Sequence, residues 1–91
     1  MLVSIVAATH NDKEDTLSFL KSVKRLHFPA TKKEIIIVDN GSTDGTTHLI
    51  KKLYPQVKLI NLKKNFGAPH ALNIGFKKAS GQYIFKCDSD V

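Results

Sequence analysis

Two aspartates one residue apart, Asp88 and Asp90 with Ser89 between them, are the first groups in this 91-residue sequence whose types and spacing suggest chemistry. Their oxygens are hard donors of the kind that hold Mg²⁺ or Mn²⁺. An ion so held would bridge the oxygens of a diphosphate and neutralise a departing phosphate. The triplet also reads as an ordinary polar strand end, so its placement matters more than its composition. A further carboxylate, Asp39, closes the apolar run EIIIVD at 34–39. There it either accepts hydrogen bonds from a base or ribose, steadied by the strand beneath it, or caps the turn through Gly41 and Thr43. A polar cluster, Thr9-His10-Asn11-Asp12, follows another apolar run at 2–8.

Other candidates have plainer readings. His10 and His70 fall in polar loops near the same chemistry, but no spacing resembles a zinc site. Ser42, Thr43 and Asp44 have the character of turn and helix-cap residues. Cys87 sits in an apolar strand, where a thiol packs as a small hydrophobe. Asn65 and Gly67 suit a phosphate-facing turn, although turn geometry alone would explain the glycine. Neither the G-x-G-x-x-G nor the G-x-x-x-x-G-K-[ST] pattern occurs, so a dinucleotide cradle and a P-loop are both unsupported.

The elements that must position these groups follow from hydrophobic patterning. Residues 2–8 are apolar and rich in β-branched side chains without polar alternation, which predicts a strand buried on both faces and central in its sheet. Asn11 or Asp12 caps a helix whose apolar stripe is Leu17, Leu20, Val23 and Leu26, and Pro29 ends it. Residues 34–39 form a second buried strand. Leu49, Ile50 and Leu53 mark a second helix, closed by Tyr54-Pro55. Residues 57–62 alternate around Lys58 and read as an edge strand. After the turn at Asn65-Phe66-Gly67, a third helix carries Ala68, Ala71, Leu72, Gly75, Phe76 and Ala79 at helical spacing, with Gly81 as its terminator. Residues 82–87 make a fourth strand.

The order β-α-β-α-β-α-β implies right-handed crossovers and a mainly parallel sheet with helices on both faces, a Rossmann-like three-layer α/β/α arrangement. Such sheets bind ligands at the carboxyl ends of their strands, and all three polar clusters fall there. Because the chain stops just past such an end, it is expected to be part of a longer protein.

Composition excludes several classes. With 42% hydrophobic and 24% charged residues, and no low-complexity tract, the chain is that of a folded domain. No apolar stretch approaches the ~20 residues of a membrane span, and no basic segment precedes the first apolar run, so a cytoplasmic protein is expected. The formal charge of +6 favours an anionic partner. All but one of the basic residues are lysine, many in pairs near element ends, whereas specific base readers rely on arginine.

Together, VSIVAATHND at 3–12, IIIVDNGSTDGT at 35–46, NFGAPHALNIG at 65–75 and YIFKCDSD at 83–90 resemble the amino-terminal half of a family 2 glycosyltransferase of the GT-A fold. The resemblance runs through nearly the whole chain. It implies a nucleotide-sugar-binding portion of one GT-A domain spanning 1–91, truncated just after the Asp-x-Asp motif, with strand order 3-2-1-4. It further implies that Ala8, Thr9 and His10 line a nucleoside pocket, that Asp39 contacts the base, usually uracil, and that Asp88 and Ser89 lie with Asp90 at the ribose and diphosphate. Asp90 would be the direct ligand of the divalent metal, with Asp88 beside it. The reaction implied is transfer of a sugar from a nucleoside-diphosphate donor to a saccharide or lipid-linked acceptor, with inversion. Two departures stand out: His10 occupies a place where many relatives carry tyrosine, and Leu72 one where many carry arginine. In inverting relatives the acceptor site and catalytic base lie beyond the stretch matching residue 91, so these residues alone are not expected to catalyse transfer.

Two other classes are weighed against this one. A phospho-receiver module also ends a strand in aspartate, but Thr9-His10 stands where receivers carry paired acids. A nucleic-acid-binding domain would suit the charge but lacks interleaved exposed aromatics and any reader motif. Attraction to anionic lipid at the cytoplasmic face of a membrane suits the charge better. Finally, the apolar residues Tyr83, Ile84 and Phe85 of the last strand are expected to leave an open sheet edge that promotes self-association.

Overall fold

The computed structural model describes residues 2–25, 32–81 and 83–88. Leu26, Pro29, Gln82, Ser89 and Asp90 lie outside the described residues. The chain runs β1 (Leu2–Thr9), α1 (Lys13–Arg25), β2 (Lys32–Asn40), α2 (Thr46–Leu53), β3 (Lys58–Leu62), α3 (Ala68–Lys78) and β4 (Tyr83–Asp88). The four strands form one sheet in the order β3-β2-β1-β4, and every pairing is parallel. This is the order that the resemblance implies, with the mainly apolar β1 inside and the lysine-bearing β3 at an edge.

Because side chains alternate across a strand, β1 and β2 supply two apolar faces from the same residues' neighbours. Val3, Ile5, Ala7, Ile35 and Ile37 pack against Leu20 and Val23 of α1 and Ile50 of α2. Val6, Ile36 and Val38 pack against Ala71 and Leu72 of α3 on the opposite side. Helix α3 comes very close to the sheet. A Cβ built on Gly75 would stand 2.4 Å from Val6 Cγ1 and 3.1 Å from Val38 Cγ2, so only glycine fits there. Glycine inside a helix costs about 1 kcal/mol relative to alanine, and close packing of α3 on β1 and β2 offsets it.

Two details depart from the expected apolar stripes. In α1 the buried set is Thr16, Leu20 and Val23, while Leu17 is only half-buried. In α2 Ile50 is buried but Leu53 is 53% exposed. Nor does Gly81 terminate α3: the helix ends at Lys78 with Ala79 as its cap, and the Gly81 N–H donates to Ser4 Oγ at 2.8 Å.

That last contact belongs to a polar knot at the amino-terminal edge of the sheet. Glu34 Oε2 accepts from the Ser4 hydroxyl at 2.5 Å and from the Ser80 N–H at 2.9 Å, and Oε1 pairs with the Lys58 ammonium. It thereby joins β1, β2, β3 and the segment after α3. Burial alone would raise the Glu34 pKa, but the hydrogen bonds from Lys58, Ser4 and Ser80 outweigh it and hold the carboxyl at about 2, below its usual 4.5. A carboxylate depressed in this way stabilises the fold fully above its unfolded value and loses that contribution as pH falls toward its folded value. Stability measured by urea unfolding is therefore expected to fall between pH 4.5 and about 2, and Glu34→Gln is expected to remove this share of the slope. An unchanged slope in the variant would show that the knot does not form.

Candidate functional site

The carboxyl ends of β1, β2 and β4 meet at the opposite edge. Register sets Thr9 against Asp39 and Ala8 against Asp88. The three loops that leave this edge are tied to one another by side chains, and the ties explain most of the polar residues.

Thr9 is buried, with its hydroxyl bonded to the Asp12 carboxylate and lying 2.6 Å from Thr16 Oγ. Asp12 Oδ1 also accepts from the Thr16 hydroxyl at 3.0 Å, and the Asp12 carbonyl from the Thr16 N–H at 2.9 Å, which starts α1. Of the two cap candidates, Asp12 takes that place. Asn11 does something else. Its φ of +50° lies in the left-handed region that asparagine tolerates, and this turns it toward the loop after β2. There the Asn11 N–H donates to Ser42 Oγ at 2.9 Å and its Oδ1 accepts from the Thr43 N–H at 2.7 Å.

Asp44 serves two helices. Oδ1 accepts from the Thr46 N–H at 3.1 Å and from the Thr46 hydroxyl, at the start of α2, while Oδ2 accepts from the Lys13 N–H at 3.2 Å, at the start of α1. The Thr46 hydroxyl does most to lower its pKa, against the opposing effect of burial. Ser42, Thr43 and Asp44 are thus the turn and cap residues that their types suggested.

A cleft of about 190 Å³ opens at the α3 side of this edge, lined by Ala8, Thr9 and His10, by Asn40, and by Asn65, Gly67 and Ala68. Five of the residues singled out in the sequence are thereby brought together. His10 Nδ1 lies 2.5 Å from the Asn40 carbonyl, which can only accept, so Nδ1 carries the proton. Nε2 is then free to accept from the Asn11 amide, 3.3 Å away. Asn65 Oδ1 accepts from the Gly67 N–H at 2.8 Å, and Gly67, at φ +89°, turns the chain into α3. The loop after β2 presses on this one: a Cβ on Gly41 would stand 2.8 Å from Lys64 Cα.

Asn40 holds the cleft together and was not singled out in the sequence. It is buried, its Oδ1 accepts from the Phe66 N–H at 3.3 Å and its Nδ2 donates to the Gly67 carbonyl at 3.4 Å. Its signal was an amide directly after the strand-ending Asp39.

Asp39 does not line that cleft. Alternation along β2 places it on the α1/α2 side, and it is 2% exposed. Oδ2 accepts from the Ser42 N–H at 2.7 Å, the turn-capping role. Oδ1 is buried with no hydrogen-bond partner among the described residues. His70 also lies outside the cleft, exposed, with its ring 5.2 Å from Phe66. Leu72 is buried beneath the sheet, so no charged group stands at that position. The backbone of β4 brings Asp88 to the edge beside Ala8. Among the described residues no group of three or more His, Cys, Asp or Glu side chains is placed to hold a metal ion.

A parallel sheet covered by helices on both faces, with polar loops gathered at the carboxyl ends of its strands, defines a three-layer α/β protein. The crystal structure of residues 1–349 of TarS from S. aureus in complex with UDP superposes with a TM-score of 0.88 at 31% identity, covering 99% of this chain and 28% of that one. A mannosyltransferase from Pyrobaculum calidifontis, in complex with GDP-Man and Mn²⁺, superposes with a TM-score of 0.83 at 27% identity, covering 97% of this chain and 27% of that one. In sequence, the poly-beta-1,6-N-acetyl-D-glucosamine synthase of Staphylococcus epidermidis is 38% identical over 90 residues, 97% of this chain and 21% of the relative. The family model of glycosyl transferase family 2 matches residues 4–91, and the chain belongs to that family. It spans about a fifth of the length of the curated relatives it matches.

Because one carboxylate caps two helices, Asp44→Ala is expected to cost about 1–2 kcal/mol in chemical denaturation, at the upper end for a cap residue. Asp44→Asn, which keeps one acceptor oxygen, is expected to lose less. Equal stability of all three proteins would contradict the shared cap.

Proposed function

We propose that these residues form the donor-binding part of a family 2 glycosyltransferase, and that Asp39 Oδ1 accepts a hydrogen bond from the imide N–H of a uracil base. The observation that carries this reading is the buried, unpartnered oxygen itself. Burying a polar atom without a partner costs about 1–3 kcal/mol, more for a charged group, and an incoming imide donor would relieve that cost. Oδ2, fixed by the Ser42 N–H, holds the carboxylate plane and leaves Oδ1 buried without a partner among the described residues. The two readings of Asp39, turn cap and base contact, are compatible because each uses a different oxygen.

In this proposal Ala8, Thr9, His10, Asn65 and Gly67 shape the walls that receive the ribose and diphosphate. Asp88, Ser89 and Asp90 supply hard oxygen donors that suit Mg²⁺ or Mn²⁺, as the chemistry of the donor set requires. When bound, the ion would stabilise the charge that develops on the departing diphosphate. An acceptor hydroxyl would displace that diphosphate at the anomeric carbon with inversion, giving up its proton to a base outside these residues. UDP and UDP-GlcNAc bound to TarS, and GDP-Man with Mn²⁺ in the archaeal enzyme, support a nucleotide-sugar donor. The cytoplasm, where such donors are made, is the proposed compartment.

The test is an amide NMR titration with UDP, with and without Mg²⁺, using GDP as control. Shifts are expected at Thr9, Asp39, Ser42 and Asp88 with UDP. Asp39→Asn is expected to weaken UDP at least about tenfold, because an asparagine there has one acceptor oxygen for two donors. Full retention of UDP binding by a folded Asp39→Asn protein would overturn the assignment.

A further inference from the structure

Acidic side chains gather at one end of the strand axis, where Lys13, Lys63 and Lys64 also stand. Asp12, Glu14, Asp15, Asp39 and Asp44 all lie at the carboxyl edge of the sheet or in the first turn of α1, as does the backbone of Asp88. The opposite edge is cationic. Every helix carries a basic pair in its last turn there: Lys24 and Arg25 on α1, Lys51 and Lys52 on α2, Lys77 and Lys78 on α3. The acidic residue described at this edge, Glu34, is already occupied by Lys58, Ser4 and Ser80. Complementing the helix dipole explains a cation in each last turn. It does not explain an exposed leucine among them.

Leu53, the last residue of α2, is 53% exposed and directly follows Lys51 and Lys52, both exposed. The ends of α1 and α2 are neighbours, since Lys24 Nζ lies 5.9 Å from the Tyr54 ring centre and Lys33 Nζ reaches the Val23 carbonyl at 2.8 Å. The result is one surface with cations around a projecting aliphatic side chain and a half-buried tyrosine. Cations alone would fit any polyanion. A leucine among them fits a bilayer surface, where cations meet lipid phosphates while an aliphatic group enters the headgroup–acyl boundary.

We propose that the amino-terminal edge, at the ends of α1 and α2, is a docking surface for an anionic phospholipid bilayer, with Lys24, Arg25, Lys51 and Lys52 on the headgroups and Leu53 inserted. Docked in this way, the carboxyl edge points away from the membrane into solvent. The acidic groups there are then kept from the anionic surface, and a soluble nucleotide donor has open access. No helix among the described residues is long and apolar enough to cross a membrane. The proposal does not depend on the assignment of Asp39.

The test is co-sedimentation of the chain with phosphatidylcholine vesicles containing or lacking phosphatidylglycerol, at low and high salt. Binding is expected only with phosphatidylglycerol, and is expected to weaken as salt rises. Lys51→Glu/Lys52→Glu is expected to lower the partition coefficient about tenfold or more. Leu53→Ala, a change at an exposed site that leaves the charge intact, is expected to lower it several-fold. Circular dichroism of both variants checks that they fold. Failure to bind phosphatidylglycerol vesicles at low salt, equal binding to neutral vesicles, or indifference to Leu53→Ala would each overturn the proposal. Indifference to Leu53 combined with tighter binding to RNA would assign the surface to nucleic acid instead.

Discussion

The parallel pairing of β1 with β2 is the constraint on which the rest of the molecule depends. It runs from Leu2 opposite Lys32 to Thr9 opposite Asp39 and buries both strands on both faces. A slip of one residue would exchange the two faces, sending Ile35 and Ile37 toward α3 and Ile36 and Val38 toward α1 and α2. Gly75 would then no longer meet Val6 and Val38, the close contact that seats α3. Asp39 would also leave the side of the sheet on which it accepts from the Ser42 N–H. Core packing and site geometry are therefore specified by one register.

With the strand ends fixed, the loops at the carboxyl edge face an accounting problem, because each polar group buried there needs a partner. Nearly all of it is solved internally. Thr9, Asp12 and Thr16 satisfy one another, Asn11 reaches across to Ser42 and Thr43, and Asp44 divides its oxygens between two helix starts. Asn40 secures the third loop through Phe66 and Gly67. Against this background one buried carboxylate oxygen, Asp39 Oδ1, stands without a partner among the described residues. At the opposite edge Glu34 draws donors from β1, β3 and the segment after α3.

The fold was legible in the sequence because its signals are local. An apolar run without polar alternation marks β1 as central, Lys58 marks β3 as an edge, and the spacing of Ala71, Leu72 and Gly75 marks the buried side of α3. The candidate cleft was legible where strand ends could be placed, which is why Ala8, Thr9, His10, Asn65 and Gly67 converge. What escaped were residues whose meaning comes from distant partners. Asn40 depends on a loop 27 residues away and Glu34 on Ser80, 46 residues away. Thr16 is polar and yet buried, because Thr9 and Asp12 supply its hydrogen bonds. Leu53 follows helical spacing and yet projects outward, because α2 is short and ends as that turn leaves the sheet.

The central claim is that Asp39 Oδ1 accepts the imide proton of a uracil base. The most direct measurement is calorimetric binding of UDP against the diphosphate of N3-methyluridine, which has the same charge, ribose and ring but no imide proton. Binding of UDP with loss of the methylated analogue is the predicted result. Equal affinity for the two would contradict the account, because it would leave the buried oxygen of Asp39 without the donor assigned to it.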